Sequence, residues 1–78
     1  MEPIEVTAIF DSQGKITPLS FKWQGRNYPI ESAGRRWHDD EGQHVLVMVA
    51  GEQIYELVFI PAISRWYMGR FSLDRRVA

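Results

Sequence analysis

The chain has 78 residues, of which 45% are hydrophobic and 13% aromatic, and its formal net charge is −1. This apolar content excludes a disordered chain, and the near-neutral charge gives no bulk electrostatic argument for nucleic-acid or membrane binding. No apolar run approaches the roughly 20 residues that a membrane helix needs.

The size of the chain limits how it can be stabilised. A domain this small buries only about 60% of the surface that its unfolded chain exposes, and disulfides or a metal commonly reinforce such domains. The sequence has no cysteine and two histidines, so apolar contacts or association must supply the stability. Because absent cysteines and an N-terminus without a signal-peptide pattern are typical of a cytoplasmic protein, we expect that location.

The first strand is predicted from alternation of apolar and polar residues. Its apolar positions are Ile4, Val6, Ala8 and Phe10. A turn over 11–14 follows, and a four-residue loop pairs Phe10 with Lys15 and therefore Val6 with Leu19. Both apolar sets then share one face.

Gln24 and Gly25 predict the next turn, because glycine accepts the positive φ that a two-residue hairpin needs. This turn pairs Phe21 with Tyr28 on the face that also carries the neighbouring aromatic residues. A shift of one residue would exchange the faces, so the agreement supports the register. Pro29 predicts an edge strand or a bulge.

The alternation is interrupted from Ser32 to Gly42. We interpret 32–34 as a bulge, 35–37 as a short strand and 38–42 as a polar loop. A second hairpin then follows, in which a turn at Gly51 and Glu52 pairs Ala50 with Gln53.

A last strand over 65–71 completes the pattern. Short sequential connections favour an all-β fold, an antiparallel meander of about six strands that forms a curled sheet or a small barrel. We expect one domain over 1–78, with an ordered core over about 3–71 and a frayed tail over 72–78.

The second hairpin is apolar on both faces, whereas a sheet open to water would alternate. In the predicted register, its second face carries Val45, Val47, Val49, Ile54 and Val58. Either the sheet folds over this face, or the face binds a protein partner, most simply in a homodimer. Glu56 interrupts the face and predicts a rim position or a salt bridge.

Catalytic and metal-binding motifs are absent from the sequence. His38 and His44 flank the acidic run at 39–41, but this spacing is not that of a known metal site, so a solvated loop is favoured. The serines lie in no nucleophile motif, and no glycine loop for phosphate is present. We expect no enzyme activity, no metal and no cofactor.

Each of the three tryptophans follows a basic residue. If the indoles are core, the preceding side chains of Lys22, Arg36 and Arg65 point outward, because adjacent strand residues face opposite sides. Basic groups beside aromatic rings suit nucleic acid, and the candidate residues are Lys22, Arg26, Arg35, Arg36, Arg65 and Arg70. The alternative is that these residues are solvated or pair with acids, which the similar numbers of acidic and basic residues favour.

The run Phe21 to Tyr28 has the pattern F-x-W-x-G-R-x-Y, and it is followed by Trp37 and by the R-W-Y run at 65–67. In these motifs, roughly from residue 3 to 71, the chain resembles a bacterial family of unknown function composed of short stand-alone proteins. Similar segments close the C-terminal region of some Y-family DNA-polymerase-like proteins of mutagenic repair. The resemblance implies a small β module without assigned catalytic residues, in a DNA-repair context.

Taken together, these patterns predict a non-enzymatic binding or interaction module whose partner the sequence does not identify. The alternative is a nucleic-acid-binding accessory domain linked to DNA-repair or polymerase proteins.

Overall fold

Seven antiparallel strands form one curled sheet with the shape of a half-barrel. The computed structural model describes residues 1–72, except for the side chains of residues 70–72. In chain order the strands are β1 (Glu2–Phe10), β2 (Ile16–Trp23), β3 (Arg26–Pro29), β4 (Ser32–His38), β5 (Gln43–Val49), β6 (Gln53–Ile60) and β7 (Arg65–Ser72). The predicted fold class is confirmed, with the curled sheet as its form. The tail predicted over 72–78 lies, from residue 73 onward, outside the described residues.

The order of the strands across the sheet is β3-β2-β1-β7-β6-β5-β4. The first and last strands are joined by the pairing of Ile4 with Trp66, a contact between distant parts of the chain. Within the described residues, no helix is long and apolar enough to cross a membrane.

Antiparallel neighbours place successive turns at opposite ends of the sheet. We call the end with the loops 11–15, 39–42 and 61–64 the upper end, and the end with the turns 24–25 and 50–52 the lower end. The face that carries the core is the inner face of the sheet, and the opposite one is its outer face.

The hairpin of β2 and β3 has the predicted register, with Phe21 opposite Tyr28 and Trp23 opposite Arg26. Its turn consists of Gln24 and Gly25, both with positive φ, as a two-residue hairpin turn requires.

The register predicted between β1 and β2 is wrong. Val6 lies opposite Phe21, and the ladder shifts between Thr7 and Ala8. The loop is one residue longer than expected, because Asp11 closes it by donating its backbone N–H to the Lys15 carbonyl at 3.0 Å. Leu19, predicted to be core, is consequently 44% exposed.

The register predicted between β5 and β6 is wrong by one residue. The turn has three residues, Ala50–Glu52, instead of two, so Val47 lies opposite Tyr55. A shift of one residue moves every side chain of a strand to the opposite face. Here the side chains of β5 lie on the opposite face from the one predicted, whereas those of β6 lie on the predicted faces.

The core lies on the inner face and draws on β1, β2, β5, β6 and β7. Phe21 and Leu57 are at most 1% exposed, and Trp66 is also buried. Trp23 and Tyr28 are half-buried and pack against this cluster. The prediction of a shared aromatic interior is confirmed for these residues.

Candidate functional site

Four aromatic rings form a connected cluster at the lower end. Phe21 stacks on Tyr28 with ring centroids 4.9 Å apart, and Tyr55 meets Phe21 edge-on at 5.5 Å. Trp23 meets Tyr55 edge-on at 5.5 Å. Such edge and offset contacts add to the stability that burial of aromatic surface provides, so they stabilise this wall of the half-barrel.

Arg26 lies on the solvent side of this cluster. Its guanidinium carbon is 5.8 Å from the centroid of the Tyr28 ring, within the range of a cation–π contact. Arg26 is exposed, and in the part of the chain that the structure describes no carboxylate forms an ion pair with it. Its charge is therefore available to a ligand.

A cleft of about 390 Å³ opens beside Arg26. All four residues of β3 line one side of it. The other side is formed by the end of β5, the following turn and the start of β6, through Val49, Ala50, Gln53 and Tyr55. Side chains of a strand alternate between two faces, so a cleft lined by every residue of β3 must run along the edge of that strand.

The backbone of β3 contributes to this cleft. In a hairpin closed by a two-residue turn, the residue that follows the turn and every second residue after it exchange backbone hydrogen bonds with the partner strand. On β3 these residues are Arg26 and Tyr28. The next donor of this series, Ile30, bonds to the Leu19 carbonyl of β2 at 2.9 Å. The alternate residues, Asn27 and Pro29, therefore direct their backbone groups toward the cleft.

The cleft is widest beside Arg26 and narrows toward Glu31. Glu31, which follows β3, donates its backbone N–H to the Met48 carbonyl of β5 at 2.8 Å. Strands β3 and β5 are thus joined at this point and diverge toward Arg26. The cleft has the shape of a wedge, with polar backbone on one wall and an aromatic floor.

Tyr55 presents a hydroxyl group at the cleft. Burial, followed by the influence of Tyr28, raises the pKa of Tyr55 above its usual 10.0, so the phenol is protonated at neutral pH. Its hydroxyl donates to Oε1 of Gln53 at 3.1 Å. This pair offers a ligand polar groups next to the apolar wall.

A second constellation, at the upper end on the outer face, centres on His44. This residue is 4% exposed, and both of its ring nitrogens contact carboxylates. Nδ1 lies 2.6 Å from Oε2 of Glu56, and Nε2 lies 2.8 Å from Oδ1 of Asp39. Because an ionised carboxylate can only accept a hydrogen bond, each contact with an ionised partner needs an N–H on the ring, so this geometry suits an imidazolium, which carries both.

Neighbouring residues complete this network. Trp37 stacks on the His44 ring at 4.9 Å and nearly parallel, and Arg35 lies over the indole. The Glu56 carboxylate passes over Gly69, where a Cβ would be 2.9 Å from Cδ of Glu56. Glycine at this position therefore leaves the room that the carboxylate needs.

The donor atoms of Asp39, Glu41 and His44 lie within 4.8 Å of one another, a grouping that resembles a metal site. However, both His44 nitrogens are already hydrogen-bonded, and Oδ1 of Asp39 also accepts the backbone N–H groups of Glu41 and Gly42. These contacts occupy the ligating atoms of His44 and Asp39 without an ion, so we interpret the cluster as an ionic network. The salt bridge predicted for Glu56 is confirmed.

The basic residues proposed from the sequence are dispersed over the sheet. Arg26 lies at the lower end on β3, whereas Arg65 lies on β7 opposite Ile60, near the upper end. Lys22 is on β2, 3.9 Å from a Glu5 carboxylate. The side chain of the remaining candidate on β7, Arg70, is outside the described part.

The two adjacent arginines of β4 face opposite sides. Arg36 donates from Nη1 to the Ile16 carbonyl of β2 at 2.6 Å, which bridges the gap between β4 and β2. The expectation that Arg36 points outward beside a core tryptophan is thus wrong, because the register with β5 puts Trp37 opposite His44 on the outer face. Arg35 shares that outer face.

The residues proposed as a partner surface are mostly covered. Val45, Val47 and Val49 are core residues, because the shifted register turns them inward. Val58 is on the outer face but 0% exposed, opposite both His44 and a β7 residue. Of the five residues, Ile54 alone is partly exposed, so the prediction that these side chains form a partner surface is wrong.

The outer face of β5 and β6 nevertheless presents apolar side chains. Leu46, Met48 and Ile54 are half-buried and line a shallow groove of about 300 Å³ beside β4. The register shift brings Leu46 and Met48 to the outer face in place of the valines of β5, whereas Ile54 lies on the face predicted for it.

Sequence reasoning missed both constellations. The cleft arises where β3 leaves β5, and no local pattern in the sequence marks that divergence. The contact of His44 with Glu56 depends on the register of β5 and β6. The signal that could have found it is Glu56 itself, a single carboxylate among apolar residues on a face that also receives His44.

The described chain is thus a small antiparallel β domain that bears a polar-rimmed aromatic cleft at one end and a buried ionic network at the other. Comparison with protein families, with curated proteins and with solved structures found no match. The resemblance to the bacterial family of unknown function therefore stays a prediction.

Proposed function

We propose that this chain is a non-enzymatic interaction module that binds an extended segment of a protein partner along the open edge of β3. The segment carries an acidic side chain or a terminal carboxylate that pairs with Arg26. The observation that supports this function is the wedge-shaped cleft lined by every residue of β3. Addition of a strand to an exposed sheet edge is a common mode of peptide recognition.

The cleft provides the two kinds of contact that this mode uses. Backbone groups of Asn27 and Pro29 direct hydrogen bonds at the segment, and the aromatic floor of Tyr28 and Tyr55 accepts an apolar side chain. Volumes of about 300 to 1,000 Å³ are typical of ligand pockets, and the cleft, at about 390 Å³, is at the small end. We infer that it takes two or three residues.

Charge favours an acidic segment. Arg26 is exposed and, among the described residues, without a carboxylate partner. A carboxylate that binds a guanidinium in two-point fashion combines geometric specificity with energy. The Tyr28 ring beneath Arg26 holds the guanidinium in place.

Nucleic acid is the weaker alternative. Phosphate binding draws on several basic groups along one groove, whereas the candidate basic residues lie on β2, β3, β4 and β7. In addition, the Tyr28 ring already stacks on Phe21 and is in cation–π contact with Arg26, so a base would compete with these contacts for the ring face, whereas an apolar side chain can pack against the ring edge. For the interaction module we also propose a cytoplasmic location, because the sequence contains no cysteine.

The test is selection of binding peptides from a randomised ten-residue library, followed by NMR mapping on the labelled chain. We expect enrichment of Asp, Glu or a free C-terminus, with shift changes confined to 26–29 and 49–55. Arg26→Glu should lower the affinity of a selected peptide at least about tenfold, since hydrogen bonds to charged groups are worth about 1.5–3 kcal/mol. Arg65→Glu is the matched control at the other end and should leave affinity unchanged.

The backbone contact has its own variant. Asn27→Pro removes the N–H that faces the cleft and spares the ladder to β2, and proline is tolerated at strand edges. It should weaken the peptide, whereas Asn27→Ala should not. Shifts mapping to the outer groove, or binding of a ten-residue oligo(dT) in competition with the peptide, would overturn the proposal.

A further inference from the structure

The upper end contains a buried histidine whose two ring nitrogens are both paired with carboxylates. The proposed binding function does not involve this residue. His44 Nδ1 and Nε2 face the carboxylates of Glu56 and Asp39 at 2.6 and 2.8 Å. A neutral imidazole has one N–H, so it cannot donate to both. We propose that the His44 imidazolium is a pH-operated latch that holds the 39–42 loop on the outer face of the sheet and releases it on deprotonation.

Charged and titratable groups approach His44 from each element packed around it. The loop contributes Asp39 and Glu41, and β6 contributes Glu56. From β4, Arg35 lies over the Trp37 indole, which stacks on the His44 ring. From β7, Tyr67 lies opposite Val58, the residue that pairs with His44. The two carboxylates in hydrogen-bond contact dominate, because they are closest and of opposite charge.

Deprotonation breaks one of the two contacts, and burial decides which. The Glu56 side chain is 14% exposed, whereas that of Asp39 is 48% exposed. An unpaired carboxylate is costly where water is excluded, so the remaining N–H stays on Nδ1 toward Glu56. The lone pair of Nε2 then faces the Asp39 carboxylate, and Asp39 turns to water.

Loss of the Asp39 contact affects the whole loop. Oδ1 of Asp39 accepts the backbone N–H groups of Glu41 and Gly42 at 2.9 and 3.3 Å. Gly42 in turn lies so close to β6 that a Cβ there would be 2.5 Å from the Phe59 carbonyl oxygen. The loop therefore contacts the sheet at two points, through Asp39 and through Gly42.

The direction of the pH effect follows from two shifted groups. Burial lowers the pKa of His44, but the hydrogen bonds to Asp39 and Glu56 outweigh it and raise the pKa above the usual 6.5. The hydrogen bond from His44, and next the backbone N–H of Glu41, lower the pKa of Asp39 below 3.8. The stabilisation from His44 is fully present below pH 6.5 and is lost as pH rises through its raised pKa. The contribution of Asp39 is present above pH 3.8 and is lost as pH falls through its lowered pKa.

The experiment is NMR of the wild-type chain between pH 5 and 10, with a chelator present. The His44 ring signals report its titration, and solvent exchange of the Glu41 and Gly42 amides reports the loop. After correction for intrinsic rates, we expect these amides to exchange roughly tenfold faster once His44 is deprotonated, since a charged hydrogen bond is lost.

A matched control lies in the same molecule. Oδ1 of Asp11 accepts the N–H groups of Gln13 and Lys15 at 2.9 and 2.8 Å in a comparable loop, one residue longer, for which no histidine contact is described. Exchange of these two amides should not follow the His44 titration. Parallel changes in both loops would overturn the proposal, as would unchanged exchange of Glu41 and Gly42.

Two variants separate the latch from general stability. Asp39→Asn keeps an oxygen acceptor for the loop but removes the charge, so it should lower the pKa of His44 and abolish the pH-dependent change in exchange. His38→Gln alters the other histidine, which is exposed, and should change neither. A His44 shift on addition of equimolar Zn²⁺ without chelator would make metal the occupant and overturn the latch.

Discussion

The two ends of the half-barrel differ in whether their charged side chains are paired. At the upper end, His44 is enclosed between the carboxylates of Asp39 and Glu56 and is 4% exposed. At the lower end, Arg26 is exposed over an aromatic ring and has no carboxylate partner within the described residues. Charge that is paired inside the molecule stabilises a local structure, whereas charge left unpaired on a well-packed aromatic wall is available to a ligand.

The largest expected effect concerns the packing on which the lower end depends. Phe21→Ala removes a ring that is 1% exposed and contacts Tyr28 and Tyr55. The cavity should lower the free energy of unfolding by about 3–5 kcal/mol, measured by urea denaturation. Phe10→Ala is the matched control at the upper end; Phe10 is 57% exposed, so its cost should stay below about 1 kcal/mol. Equal costs would contradict the assignment of Phe21 to the core.

A medium effect would sharpen the account of the upper end. Gly69→Ala places a Cβ 2.9 Å from Cδ of Glu56 and should displace that carboxylate from His44. Overpacking of this kind costs about 1–3 kcal/mol, and NMR should show the His44 pKa falling. In the background of Glu56→Ala the same substitution should cost much less, so a double-mutant cycle measures the coupling. Additive costs would contradict the steric explanation.

The smallest effect separates two neighbouring arginines between the ends. Arg36→Ala removes the hydrogen bond from Nη1 to the Ile16 carbonyl and should lower the free energy of unfolding by about 1–2 kcal/mol. Arg35→Ala leaves the β4–β2 bridge intact and should cost less than about 1 kcal/mol, the scale of an exposed cation–π contact. Thermal unfolding of both variants is sufficient, and a larger loss for Arg35→Ala would contradict the assigned orientations.

Sequence reasoning succeeded where local chemistry constrains geometry. The register of β2 and β3 is correct because Gln24 and Gly25 suit a two-residue turn, and because aromatic and polar residues alternate on opposite faces. The edge position of Pro29 follows from its missing N–H. Both features depend on residues that are adjacent in the chain.

It failed where the pattern allowed more than one register. Residues 43–49 are nearly all apolar, so alternation could not distinguish the two faces of β5. One additional turn residue, Ala50, then moved Val47 from the predicted outer face to the core. The ionic network was missed for the same reason, because it requires His44 and Glu56 on one face.

By itself, the sequence determined that this chain is an antiparallel β domain with an aromatic interior, since alternation and turn residues are local signals that operate along the strand. The tertiary structure alone decided which strands meet, namely β1 with β7 across the sheet, and where β3 leaves β5 to open the cleft. It also decided that His44 is buried between two carboxylates. Such contacts join residues that are not adjacent in the chain, and their energies depend on registers and on water exclusion that no local pattern encodes.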